Sequence, residues 1–468
     1  MLFNSIDFLI FYPIVFLIYW IFFRNDINKR NLFLLIVSYI FYGWWDWRFL
    51  FLIALSSTTD FFIGQLIYKA DNPSLKKRYL TISLTISLGI LFIFKYYNFF
   101  IDSFVQTFTL LGKPINYHGL KLVLPVGISF YTFQTLSYSI DIYRNKLKPT
   151  KNVIKFFTFV SFFPQLVAGP IERATHLLPQ FDKKYDFNYD QIVKGLELVL
   201  IGLLKKVVIA DRLATYVDAV YNNHQYHNGT TLYMATIFFA VQIYCDFSGY
   251  SDIAIGVAKT FGFDLMKNFK TPYFAVSMKD FWKRWHISLS TWFKDYFYIS
   301  LGGNRCSKLR QKFNLLATFV VSGLWHGANW TFVIWGAVHG VTQIIENSLN
   351  LKSNREYSII EKAVRMIVVF HIVCFAWIFF RADSLSQAMQ IIAKIFEFRL
   401  ALPYLDVVNA LFFGLISLFI YMIIDYFEYR NIKIFRYMRT RKYIYASIII
   451  IILSIGVFNE GQFIYFQF

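Results

Sequence analysis

The sequence predicts an all-α, polytopic integral membrane protein: a bundle of about 11–13 helices with re-entrant segments, forming one domain over residues 1–468. Three observations predict it. Apolar residues fill 57% of the chain while 16% of positions are charged, against about 25% in soluble domains. About a dozen long apolar segments recur from one end to the other. The surplus of positive charge, +19 in net, is divided among short stretches between those segments. Disorder is excluded, since Phe, Trp and Tyr make up 21% of the chain.

In order, the apolar segments are 8–23, 31–45, 49–67, 79–101, 122–143, 153–171, 191–220, 231–257, 313–347, 363–380, 403–427 and 443–457. The first reads as a span rather than a secretory leader, because no basic region precedes Phe8 and no small-residue cleavage site follows Phe23. Pro125 with Gly127, Pro164 with Gly169 and Pro170, and Gly323 with Gly327 interrupt three of the segments. Broken backbone at membrane depth survives only where protein or a water-filled cavity surrounds it, so these predict re-entrant pieces. No repeat, low-complexity tract or long linker divides the chain.

Five stretches, 24–30, 69–78, 144–151, 305–312 and 430–442, hold 21 of the 47 basic residues in 46 positions, with only Asp26 and Asp71 opposing them. Nucleic-acid binding would gather that charge on one folded face. Its dispersal instead predicts cytoplasmic loops, which places both termini outside, with the tail Phe458–Phe468 facing the exterior. Cys245, Cys306 and Cys374 are odd in number and far apart, which fits neither a disulfide framework nor a zinc site.

Against so sparse a background, ionisable residues inside apolar runs stand out, because each costs about 2.5–3.5 kcal/mol near a bilayer centre. They are Asp60, Lys95, Asp246, Asp252 and His326. Gln242, Asp246 and Tyr250 share one helix face, which fits a polar pocket wall or interhelical hydrogen bonding. In SGLWHGANWT, 322–331, and GAVHG, 336–340, each histidine precedes the second glycine of a small-xxx-small pair, so His326 and His339 belong at crowded helix contacts. On a continuous helix they would differ by about 220° and roughly 20 Å of rise, so they share no metal unless the helix breaks between them; no metal site is expected. An imidazole kept from bulk water takes a proton from a hydroxyl and returns it to a leaving group. His326 fits that role, and fits equally a histidine that joins two helices. In FWKRWHISLSTWFKDY, 281–296, the aromatic residues fall within an arc of about 120° on a helical wheel and the basic ones outside it. This predicts an amphipathic helix in the membrane plane over about 279–298. His286, at 40° from Trp282, lies just beyond the arc's edge and points either inward to a pocket or along the interface.

These motifs together resemble the membrane-bound O-acyltransferase family, in particular its bacterial branch similar to the membrane subunit of alginate O-acetylation. The opening MLFNSIDFL, VAGPIER around Pro170, QIYCDFSGYSDIAIG from Gln242, NFKTPYFA, FWKRWHISLSTWFKDYFYISLGGNR, SGLWHGANWTFVIWGAVHG within the catalytic-motif segment of about 313–347, and the ending FIYFQF occur in the family's order over nearly the whole chain. The resemblance implies an all-helical fold around a central funnel, with His326 as the catalytic residue and His286 in the same buried tunnel. Trp325, Asp246, Asn329 and His339 lie in the matching motifs and are expected in the substrate pocket. It also implies a membrane O-acetyltransferase of the bacterial inner membrane. Acetyl groups would come from cytoplasmic acetyl-CoA, with no tightly bound cofactor, and reach an extracytoplasmic glycan through a secreted or periplasmic SGNH-type acetyltransferase partner. Two alternatives are D-alanyl or other acyl transfer from a carrier protein, and transport of a polysaccharide or ion.

Overall fold

The structure, a computed structural model, describes residues 1–458 except 114, 116, 118, 121, 350–356, 398–402, 405–407, 433, 436 and 437. The FIYFQF ending, the tail beyond Phe458, and Lys433 and Arg436 of the last basic stretch lie outside the described residues. Every regular element among the described residues is helical. Among the described residues, six helices are long and apolar enough to cross a membrane: Ile6–Phe23, Phe49–Lys69, Pro73–Leu110, Gly229–Thr260, Ile359–Arg381 and Asn409–Tyr429. No linker shows in the sequence, and the chain packs as two compact units. They are Met1–Leu196 with Ala254–Met266, and Glu197–Ile253 with Lys267–Phe468.

In the first unit, helix starts follow local chemistry. Ser5, Asp26 and Asn72 each accept a backbone N–H in the first turn of the following helix, and Pro73 occupies a position where its missing N–H is harmless. The interrupted segment 122–143 becomes helical only at Ile128, after Gly127 in the left-handed conformation. Segment 153–171 forms a helix to Ser161 and a single turn Phe163–Leu166, then runs on without regular structure through Pro170. Residues 161–174 are all buried, so this broken backbone is enclosed by protein as its composition requires. Beyond it, buried Glu172 accepts hydrogen bonds from the Met266 amide and from His176 Nδ1, tying the VAGPIER segment to the end of the unit. Burial pushes the Glu172 carboxyl up from its ordinary range, and the bond to Glu172 raises the His176 imidazole.

Asp60 resolves one of the conspicuous charges. It is 0% exposed and accepts from Ser83 (2.5 Å), Ser139 (2.8 Å) and Ser87 (3.4 Å), so neutral hydroxyls from the helices Pro73–Leu91 and Ile128–Tyr143 converge on the Phe49–Lys69 helix. Asp60→Leu orphans those hydroxyls and is expected to lower thermal stability in detergent by about 1–3 kcal/mol, whereas Asp60→Asn, which keeps the shape and the bonding capacity, retains most of it. A Leu variant as stable as wild type would show that the carboxylate ties nothing together.

The second unit is organised on residues 229–253 of the long Gly229–Thr260 helix. Beside them the π-helical stretch Leu204–Ala210 carries two adjacent buried lysines. Lys206 pairs with Asp246 (2.5 Å) and Asp211 (2.9 Å), and Lys205 with Asp252 (2.7 Å) and Glu428 (3.6 Å). Buried charges need such partners, since an isolated ion in low dielectric is far costlier than a paired one. The segment 313–347 is a hairpin of two helices, Lys308–His326 and Trp330–Ser348. The two cross on glycine: a Cβ at Gly323 would collide with the Phe332 carbonyl, and one at Gly336 with the Phe319 carbonyl. The predicted in-plane helix over 279–298 is broken. It consists of Met278–Trp282, a turn, Ile287–Trp292 and a π-helical stretch Phe293–Tyr298. Its aromatic face is packed inside the unit, with Phe281 and Trp285 both at 0% exposure.

Candidate active site

Three chain segments of the second unit meet around one histidine pair. His326 is the last residue of the Lys308–His326 helix, which ends because Gly327 turns extended (φ −156°, ψ 149°). His286 stands at the break before the Ile287–Trp292 helix in a left-handed conformation (φ 41°, ψ 55°). A residue with a Cβ holds that conformation at a cost of about 1–3 kcal/mol, and only where its surroundings over-determine it. Both side chains are buried, and their ring centroids lie 6.3 Å apart.

Aromatic rings enclose the pair. Trp325 packs 5.0 Å from His326 and 6.1 Å from His286. Trp335 and Phe380 close on His326 at 5.0 and 5.5 Å, and Phe247 and Phe269 on His286 at 4.6 and 6.4 Å. Such a lining lowers the local dielectric and keeps water away, which strengthens every electrostatic interaction inside.

Of the residues expected from sequence, the structure thus brings His326, His286 and Trp325 together. The helical-wheel position of His286 at an apolar edge gives way to a backbone break that buries it, where residues 268–270 pair with both sides of the turn: the Ile287 amide donates to the Asn268 carbonyl and the Lys270 amide to the Arg284 carbonyl. The proviso on His326 and His339 is met, since the helix does break between them, but Trp335 stands between the two imidazoles, 5.0 Å from one and 4.8 Å from the other. His339 is fully buried against Trp282 (5.0 Å) and lies nearly parallel to Phe281 (6.1 Å). Asn329 bonds to backbone on two segments. It caps the Trp330–Ser348 helix by accepting from the Thr331 amide (3.0 Å), and it donates to the Asp383 carbonyl (3.0 Å). Asp246 is engaged by Lys206, while Gln242 and Tyr250 on its helix face are buried as well. Among the described residues, no group of three or more His, Cys, Asp or Glu side chains is arranged to hold a metal.

Sequence reasoning passed over Lys206 and Asn268. The lysine pair inside the apolar segment 191–220 was a visible signal for the first. For Asn268, which bonds to the segment after His286, the signal was its place at the head of NFKTPYFA, though nothing local ties that motif to the turn at His286.

The loop Gly302–Lys308 begins with Gly302 and Gly303, both at positive φ, and is anchored by Asn314, which donates to the Leu301 carbonyl (3.1 Å). Arg305, Lys308 and Arg310 on and beside it are exposed.

Comparison with known proteins places this geometry in context. The sequence pattern of the "MBOAT, membrane-bound O-acyltransferase family" matches residues 40–382. The chain is 40% identical over 401 residues to "Probable alginate O-acetylase AlgI" of Azotobacter vinelandii, covering 85% of this chain and 78% of that protein. It is 34% identical over 422 residues to "Peptidoglycan O-acetyltransferase" of Helicobacter pylori, covering 84% and 79%. To "Teichoic acid D-alanyltransferase" of Bacillus subtilis it is 28% identical over 278 residues, covering 56% and 69%.

Proposed function

The chain belongs to the membrane-bound O-acyltransferase family, and from that premise we propose that it takes acetyl groups from cytoplasmic acetyl-CoA and passes them across the bacterial inner membrane for O-acetylation of an envelope or secreted glycan, through an SGNH-type partner. It is a multi-pass membrane protein and an O-acyltransferase. The observation that carries the mechanistic reading is the buried pair His286 and His326, 6.3 Å between centroids, close enough for both rings to address one reacting group.

His326 acts as the base. It takes the proton of the acceptor hydroxyl as that oxygen attacks the thioester carbonyl, then returns the proton to the departing thiolate; a C–O bond forms, a C–S bond breaks, and no proton is released overall. The C-terminal end of a 19-residue helix carries partial negative charge, which favours the positive charge developing on His326 during the transfer. His286 faces the same group and orients it. Trp325 and Phe380 exclude water, which would otherwise hydrolyse the thioester. The exposed basic residues around 305–310 suit the phosphates of coenzyme A at a cytoplasmic mouth, an orientation consistent with dispersed basic loops facing inward and both termini outward.

Membrane vesicles given radiolabelled acetyl-CoA on the cytoplasmic side should release free thiol and accumulate ester-bound label in a glycan fraction. The likeness to teichoic acid D-alanyltransferases supports a second donor, a charged carrier protein. Label transferred from that carrier and not from acetyl-CoA would overturn the acetyl reading.

A further inference from the structure

We propose that Asn268 is a positioning residue that holds His286 in its left-handed turn and so aims the imidazole at His326; this rests on the catalytic reading of the histidine pair. His286 occupies the N-cap position of the Ile287–Trp292 helix, yet its side chain makes no capping bond. An N-cap residue ordinarily supplies an acceptor for the exposed amides of the first turn. Here the acceptor arrives from elsewhere in the chain. Asn268 Oδ1 accepts from the Ser288 hydroxyl (2.9 Å) and the Ser288 amide (3.4 Å), and the Asn268 carbonyl accepts from the Ile287 amide (2.8 Å).

The other end of the same side chain is fixed too. Asn268 Nδ2 donates to Ser251 Oγ (3.2 Å) on the Gly229–Thr260 helix, and Asn268 is 1% exposed. Two residues on, the Lys270 amide donates to the Arg284 carbonyl (2.9 Å), so the strap 268–270 grips the chain on both sides of His286. Phe269, between the two grips, lies nearly parallel to the imidazole at 18°. Phe247, one helical turn before Ser251, meets the ring edge-on at 78°. Supplying the cap from Asn268 frees the N-cap position for an imidazole, a residue type that caps poorly, and leaves that imidazole facing His326.

The test uses full-length protein in proteoliposomes with radiolabelled acetyl-CoA. Asn268→Ala should lower kcat about 100-fold, the scale of a misplacement near 1 Å, and leave KM for acetyl-CoA within about twofold. Asn268→Asp keeps the acceptor for Ser288 while the Ser251 hydroxyl turns donor, and it should recover most of the lost rate. Asn268→Ala combined with His286→Ala should be no slower than His286→Ala alone, since a positioning residue has nothing left to position. If Asn268→Ala fails to accumulate, Ser288→Ala removes one contact without opening a large cavity and should show a smaller loss, about tenfold, with the same dependence on His286. An inactive His286→Ala beside a fully active Asn268→Ala, or losses that multiply in the double variant, overturns the positioning role alone. A fully active His286→Ala overturns the catalytic reading of His286 and this proposal with it.

Discussion

His326→Ala is expected to abolish ester acetylation while the protein still folds and inserts. Removing a positioned base costs about 10²–10⁴ in rate, and near a pair enclosed by aromatic rings no water can substitute for it. The Ala variant leaves a space bordered by Trp325, Trp335 and Phe380, so a modest drop in thermal stability accompanies the loss. The measurement is glycan-bound acetate in cells making equal amounts of each protein. Wild-type acetate from the Ala variant would rule out His326 as the catalytic base. His326→Gln sharpens the result: it fills much of the same space without an imidazole, so it should match Ala in activity and exceed it in stability.

The second large effect lies at the hairpin crossing. Gly336→Ala adds a single methyl group, but the added carbon would meet the Phe319 carbonyl on the facing helix, and backbone cannot move aside as a flexible side chain can. The helices must separate or tilt, at an expected cost of about 3 kcal/mol. The crossing also sets where Trp335 stands against His326, so separation should lower activity in whatever protein survives. Thermal unfolding in detergent checks the first effect, and specific activity of the folded fraction checks the second. Gly89→Ala, where the added carbon meets nothing, is the matched control. Equal stability of the two variants would mean that the helices are not held at the crossing distance described.

Much of this was legible from sequence, for physical reasons that can be named. Apolar runs and parcelled charge report the solvent directly, so the helical membrane class follows without any tertiary information. The glycines at 323 and 336 announce a close helix contact, because only a residue without Cβ tolerates one. What failed to show was the course of 279–298. The wheel assumed one unbroken helix, and nothing in WKRWHI contradicts it, since neither Gly nor Pro interrupts the run. The break is imposed by Asn268 and Lys270, more than ten residues away, and a left-handed histidine is intelligible only once those partners are seen. Asn329 illustrates the converse. It sits inside the most specific motif and was expected in the pocket, yet its side-chain bonds go to a helix start and to the Asp383 carbonyl. A motif collects the residues that build a site as well as those that act in it.

The two lysines of the π-helical stretch have a consequence for motion. Their partners Asp246 and Asp252 are six residues apart on one helix, so the contact has two pins rather than one. A helix joined at one point can swivel about it or slip along its neighbour by a turn; joined at two, it can do neither without breaking both ion pairs together. Phe247 lies between the pins and forms one wall of the His286 pocket. That wall is therefore a fixed datum, held at both of its ends, against which the His286 ring is set.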